Sequence, residues 1–192
     1  MKKTTYQIAF CGIMTALASA LCMIPVIKLP LGGSITLLSM LPIVSVSVYF
    51  GIKWGLVSGF VFSLIQLIFG IAFDGLLGWG LSGAQLAGCI ALDYFAAFTV
   101  LGLAGVFGKK SSLSPVYGTA LAMLLRFTMH VLSGVIIFAN FEQFELFGKA
   151  FAGQPLLYSV CYNGFFMLPE TVLTCIAVYV LSKTRFFEKI DL

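Results

Sequence analysis

Long apolar runs broken by charges, glycines and prolines dominate this chain. The breaks divide it into apolar segments at 6–27, 37–50, 54–72, 84–107, 115–139 and 154–182. A helix crossing the roughly 30 Å hydrocarbon layer needs about 20 such residues, so the pattern predicts six membrane helices. The second segment is short: at 1.5 Å per residue its ~14 residues reach only ~21 Å, which predicts a tilted or partly buried helix. Closed barrels are the other permitted spanning structure, but their strands alternate apolar and polar positions. Only Val44 to Val48 alternates here, whereas Val100 to Phe107 is apolar or glycine throughout and Ile176 to Leu181 has no polar break. The expected fold is an all-α integral membrane protein, one membrane domain over 1–192 built as a six-helix bundle.

Composition strengthens this reading. Of 192 residues, 60% are hydrophobic and 9% charged, against roughly 45–50% and 25% in a soluble domain. A soluble fold of this size would lack the polar surface to cover itself. Lys2 and Lys3 before an apolar run resemble a secretory signal, but the run continues to about Ile27 with no Ala-x-Ala site, which reads as a retained first helix. The five cysteines, Cys11, Cys22, Cys89, Cys161 and Cys175, lie scattered in apolar segments without C-x-x-C spacing. They read as small buried hydrophobes rather than a disulfide framework or metal cage.

Six spans put both termini on one side, and the lysine and arginine bias says which. Lys2, Lys3, Lys53, Lys109, Lys110, Lys183, Arg185 and Lys189 share one set of loops and tails, expected to be cytoplasmic. The opposite set holds Lys28 and Lys149 with Asp74, Glu142 and Glu145. The net charge of +4 thereby reflects topology, and nucleic acid is not an expected partner.

Ionisable groups inside spans are costly and are functional candidates by default. Asp93, Arg126, His130 and Glu170 are such groups, with Lys53 at a boundary. Counted from the expected external helix ends, Asp93, His130, Tyr158 and Asn163 lie about 6 to 14 Å deep and share one level with Tyr94. A carboxylate, an imidazole, an amide and two phenols suit a flat, nitrogen-rich cation. Polar groups between membrane helices also satisfy one another, which is the competing reading. Arg126, one turn deeper than His130, and Glu170 are expected to pair as structural glue. Gly12, Ala16 and Ala20 form a small-residue stripe on the first helix that permits close helix contact.

The segment Lys28 to Thr36, with Pro30, Gly32, Gly33 and Ser34, reads as an external turn able to act as a lid. Gly105 to Ser111 lacks the spacing of a phosphate loop, and one histidine excludes H-E-x-x-H zinc motifs. No metal or cofactor is expected.

Pro30-Leu31-Gly32-Gly33-Ser34-Ile35-Thr36 with Met40-Leu41-Pro42, Leu92-Asp93-Tyr94 with Ala97-Phe98, Arg126 with His130 and Ser133-Gly134-Val135, Tyr158-Ser159, and Tyr162-Asn163-Gly164 form an ordered set. In these blocks the chain resembles the thiamine-specific substrate-binding subunits (S components) of energy-coupling factor (ECF) vitamin transporters. The resemblance implies a six-helix bundle with an external pocket closed by the loop between helices 1 and 2. By matching position, Asp93, Tyr94, His130, Tyr158 and Asn163 would contact thiamine. Phe138 stands where some members carry a pocket tryptophan, and Gly12 and Ala16 match the face that docks on a transmembrane coupling subunit. Two cytoplasmic ATPases would then drive import, and the chain itself would catalyse nothing. Three departures stand out: no aromatic residue in the first external loop, aspartate where some members have glutamate, and a glycine-rich 75–84 segment. Another small nitrogen-heterocyclic vitamin or precursor is therefore the alternative ligand. A remoter alternative is an intramembrane enzyme using Asp93 and His130 as an acid-base pair, and a third is a purely structural membrane subunit.

Overall fold

The computed structural model describes residues 3–138, 145–146, 149–151, 153–184 and 186–188. Lys2, Glu142, Arg185 and Lys189, named in the charge argument, lie outside the described residues, as does the end of the 115–139 segment.

Five helices are long and apolar enough to cross a membrane: α1 (Lys3–Cys22), α3 (Ile52–Phe73), α4 (Gly83–Leu103), α5 (Ser114–Ile136) and α6 (Pro155–Lys183). The sixth, α2 (Leu41–Phe50), has ten residues and rises only ~15 Å. Its residues from Pro42 to Tyr49 are all buried, packed against α1, α3 and the end of α4. The second expected span is thus a core helix walled in by its neighbours. Large apolar side chains such as Ile13, Ile68, Ile136 and Leu168 face outward from the long helices instead, as lipid contact requires.

Prolines stand in the first turn of α2, α5 and α6, where a missing N–H costs no helical hydrogen bond. Between α2 and α3 the chain turns on Gly51 at φ 91°, a conformation with little penalty only for glycine. The first helix ends at Cys22, short of the expected 27, because Pro25 disfavours helical geometry in the residue before it. Residues that looked like helix and turn form a hairpin, β1 (Pro25–Lys28) and β2 (Ser34–Thr36), antiparallel with Lys28 opposite Ser34. A second short pair, β3 (Glu145–Leu146) and β4 (Lys149–Ala150), precedes α6. The fold is therefore mostly helical rather than all-α.

The fourth helix is not uniform. A capping box of Ser82 and Gln85 starts it, Ile90 to Ala96 widen into a π-helix, and its last turn tightens over Val100–Leu103. Gln85 Nε2 also donates to Ile137 O at 3.1 Å, tying the start of α4 to the end of α5. The last segment of this run was expected to reach 107, but the helix stops at Leu103.

Candidate functional site

A cavity of about 480 Å³ lies where α1 and α5 end and α6 begins. Asp93, Tyr94, His130, Phe138, Tyr158 and Asn163 all line it, with Arg126 and Glu170 at its deeper part. Gly32, Gly33 and Ser34 of the hairpin contribute to its wall, whereas Pro30 does not line it and is held by Tyr162 Oη, which donates to the Pro30 carbonyl. The stripe of Gly12, Ala16 and Ala20 does not line the cavity: all three are exposed along α1.

Asp93 sits in the π-helical stretch, where an extra residue per turn redirects side chains and where functional groups often cluster. Its Oδ1 stands 2.8 Å from His130 Nδ1, and its Oδ2 accepts from Ser133 Oγ and, at 3.3 Å, from Cys89 Sγ. The imidazole is fixed edge-on between Phe98 and Phe166, with ring centres 6.4 and 6.0 Å away. Its Nε2 is buried without a protein partner. Tyr94 is buried against α3, where a Cβ on Gly70 would stand 2.1 Å from the phenol oxygen, so only glycine leaves room for it.

On α6, Tyr158 and Tyr162 stack with ring centres 5.8 Å apart, and Phe166 meets Tyr162 edge-on at 5.9 Å. One helical turn separates each from the next, so the three rings form a stripe along the cavity. Asn163 spends its amide hydrogens on Ser159, donating to the carbonyl at 2.9 Å and to Oγ at 3.1 Å. Below them Arg126 Nη1 stands 3.3 Å from Glu170 Oε2, both buried, and the guanidinium covers the Phe98 ring at 4.6 Å. At the other end Trp79 packs on the hairpin, 3.3 Å from where a Gly32 Cβ would stand, and its ring centre lies 6.3 Å from that of Phe138.

Two groups on α6 hold the hairpin. Tyr162 Oη accepts from Gly33 N at 3.1 Å and donates to Pro30 O. Glu170 Oε1 accepts from Thr36 N at 2.8 Å and from Thr36 Oγ1. A third link, Lys28 Nζ to Asp74 Oδ1 at 2.7 Å, joins the hairpin to the end of α3 in a more exposed setting.

A family model described as thiamine transporter protein matches residues 8–187. The chain belongs to this family. It is 30% identical over 188 residues to the thiamine transporter ThiT of Bacillus subtilis strain 168, covering 90% of this chain and 88% of that protein. A solved structure of ThiT from Listeria monocytogenes aligns with 97% of this chain and 99% of its own, at a TM-score of 0.71 and 22% identity, and shares the fold. Members of this thiamine transporter family are transport proteins rather than enzymes, and this one is a multi-pass protein of the cell membrane.

Several lining residues of this family member carry no flag in the sequence. Trp79 and Phe166 are aromatic residues in a chain that is 15% aromatic, so their type alone says little, whereas Tyr162 stands in a family block without a role attached to it. Lys28 and Asp74 read as surface charges, and the pairing that brings them to the cavity spans the hairpin and α3. The roles of Ser133 and Cys89 become visible through the carboxylate they share. Ser133 was legible as part of a family block, and Cys89 as an ordinary small apolar residue.

Proposed function

We propose that the chain is the membrane-embedded substrate-binding subunit of an ECF-type importer and captures thiamine in the cavity between α3, α4, α5, α6 and the β1–β2 hairpin. Charge carries the reading. Among the described residues lining the cavity, Lys28 offsets Asp74 and Arg126 offsets Glu170, and Asp93 has only His130 beside it, an imidazole that offsets the carboxylate only when protonated; with a neutral ring the cavity carries one net negative charge. An uncompensated carboxylate enclosed by Tyr158, Tyr162, Phe166, Phe138 and Trp79 favours a flat monocation, through charge and through the negative faces of the rings. Thiamine, with its cationic thiazolium and its aminopyrimidine, has that chemistry. An acid-base enzyme is disfavoured because the Ser133 hydroxyl and Cys89 thiol beside the pair are turned to Asp93 rather than to His130, so no base is set to activate a nucleophile.

In this reading the six apolar helices all take part in the membrane domain, with α2 inside it, and both termini face the cytoplasm. The cavity then opens outward, and the hairpin around Pro30, Gly32, Gly33 and Ser34 is its gate. The exposed Gly12, Ala16 and Ala20 stripe docks on a transmembrane coupling subunit served by two cytoplasmic ATPases.

Binding of thiamine to the purified protein tests the ligand. Replacing Trp54 by Phe leaves Trp79 as the reporter at the cavity. Thiamine should change its fluorescence saturably, and titration calorimetry should give the same affinity. No saturable binding overturns the ligand assignment, and tighter binding of an isolated pyrimidine or thiazole half than of thiamine would replace it with the alternative. ATP-dependent uptake into vesicles containing the coupling subunit and ATPases tests the partner assignment; uptake without them would remove it.

A further inference from the structure

The Asp93 carboxylate has protein partners on both oxygens, so its hydrogen-bonding capacity is largely spent within the protein while its charge still faces the cavity. Two donors, the Ser133 hydroxyl and the Cys89 thiol, meet at Oδ2. A carboxylate only accepts, so with two donors already at Oδ2 its Oδ1 is the acceptor for a proton on His130 Nδ1. The opposite tautomer would set the Nδ1 lone pair against a charged oxygen at 2.8 Å. A doubly protonated ring would bury an Nε2–H for which no protein acceptor is in place, and an unmatched buried donor is costly. The neutral ring with hydrogen on Nδ1 satisfies every contact and leaves Nε2 as a buried lone pair with no protein partner, on a residue that lines the cavity.

We propose that Ser133 and Cys89 are positioning residues for ligand selection: by engaging Asp93 Oδ2 they hold His130 in its Nδ1–H tautomer, so that Nε2 accepts a hydrogen bond from an N–H donor on the bound aromatic cation. The shorter aspartate thus acts on the ligand through the imidazole as well as by its charge. Asn163 works in the same sense, because its amide hydrogens are committed to Ser159 and its carbonyl oxygen remains the available group. The selected class is a heteroaromatic cation bearing an amino group, against the same ring carrying a carbonyl oxygen in its place. This rests on the cation-binding reading above, but its first test does not.

The chain contains one histidine, so nitrogen-15 labelling of histidine gives a single imidazole in the NMR spectrum of the full chain in lipid nanodiscs. Without ligand, Nδ1 should appear protonated and Nε2 pyridine-like. A spectrum with the proton on Nε2, or on both nitrogens, overturns the proposal whether or not thiamine binds. With thiamine, the Nε2 resonance should move to a hydrogen-bonded position, and the analogue with oxygen replacing the amino group should bind about 100-fold more weakly. The C89A/S133A variant should give a mixture of tautomers, bind thiamine about 10-fold more weakly and lose most of its preference over the oxo analogue. Cys89→Ser, which keeps a donor, should retain the wild-type tautomer. An unchanged tautomer and unchanged selectivity in C89A/S133A would show that neither residue positions the ring. Should that variant not fold, Cys89→Ala and Ser133→Ala made singly should each shift part of the tautomer population, and a wild-type spectrum from both would overturn the proposal.

Discussion

Glu170 on α6 accepts a hydrogen bond from the backbone amide of Thr36, 2.8 Å away at the end of the hairpin. Its second oxygen faces Arg126 on α5 at 3.3 Å, so one buried carboxylate joins the hairpin to two helices. This assigns Glu170 more than the structural pairing that its position in an apolar run suggests.

Removing the carboxylate should therefore be severe. Glu170→Ala leaves the Arg126 charge buried and unpaired and should cost about 3–5 kcal/mol. Thermal unfolding of Arg126→Ala, Glu170→Ala and the double variant checks it: the double loss should fall below the sum of the singles by about 1 kcal/mol or more. Additive losses would separate the two residues energetically.

Tyr162→Phe keeps the stacked ring but removes the hydroxyl that engages Gly33 and Pro30. Loss of about 1–2 kcal/mol from these bonds should release bound thiamine roughly 5- to 30-fold faster, with little change in unfolding temperature. Stopped-flow dissociation against excess competitor measures this, and an unchanged off-rate would show that the tip of the hairpin does not retain the ligand.

Lys28→Ala should matter far less. The Lys28 and Asp74 side chains are 48% and 21% exposed, and ion pairs in contact with water contribute about 0–1 kcal/mol. A change in thiamine affinity above about fivefold would mean that this link, rather than Tyr162 or Glu170, controls the hairpin.

Two glycines should respond in opposite ways. A Cβ on Gly134 would stand 2.1 Å from Ser159 Oγ at the α5–α6 contact, so Gly134→Ala should cost about 1–3 kcal/mol of stability through overpacking and weaken ligand binding. A Cβ on Gly12 meets nothing within 4 Å. Gly12→Leu should leave thiamine binding by the isolated chain unchanged while lowering uptake in the presence of the coupling module; equal uptake would detach the α1 stripe from docking.

What the sequence reveals and what it hides divide along physical lines. A charge in an apolar run is conspicuous because lipid makes it costly, so Asp93, Arg126, His130 and Glu170 stand out, and all four line one cavity. The long helices are equally visible, since apolar length is what a bilayer demands. Helix ends are less so: apolarity continues through Ile27, and it is Pro25 that ends α1 and admits a strand. The hairpin has no alternating pattern to announce it, since all four residues of β1 are exposed. The π-helical geometry around Asp93 likewise has no signature in the sequence, since the carboxylate marks the position but not the width of the helix. Trp79 reaches the cavity from the loop between α3 and α4, anchored by its own indole N–H on Asp74 O at 3.0 Å. That placement follows from how two loops meet, which no local pattern encodes.

Both fastenings of the hairpin on α6, Tyr162 and Glu170, bracket Pro169. A proline inside a helix supplies no amide hydrogen, so the rod is weakest in bending just there. A small flexure at that joint shifts the two anchor points against each other and pulls on the hairpin from both ends. On the gating role proposed above for the hairpin, access to the cavity would follow the mechanics of a single membrane helix, and whatever presses on that helix from the bilayer or from a neighbouring subunit would press on the hairpin.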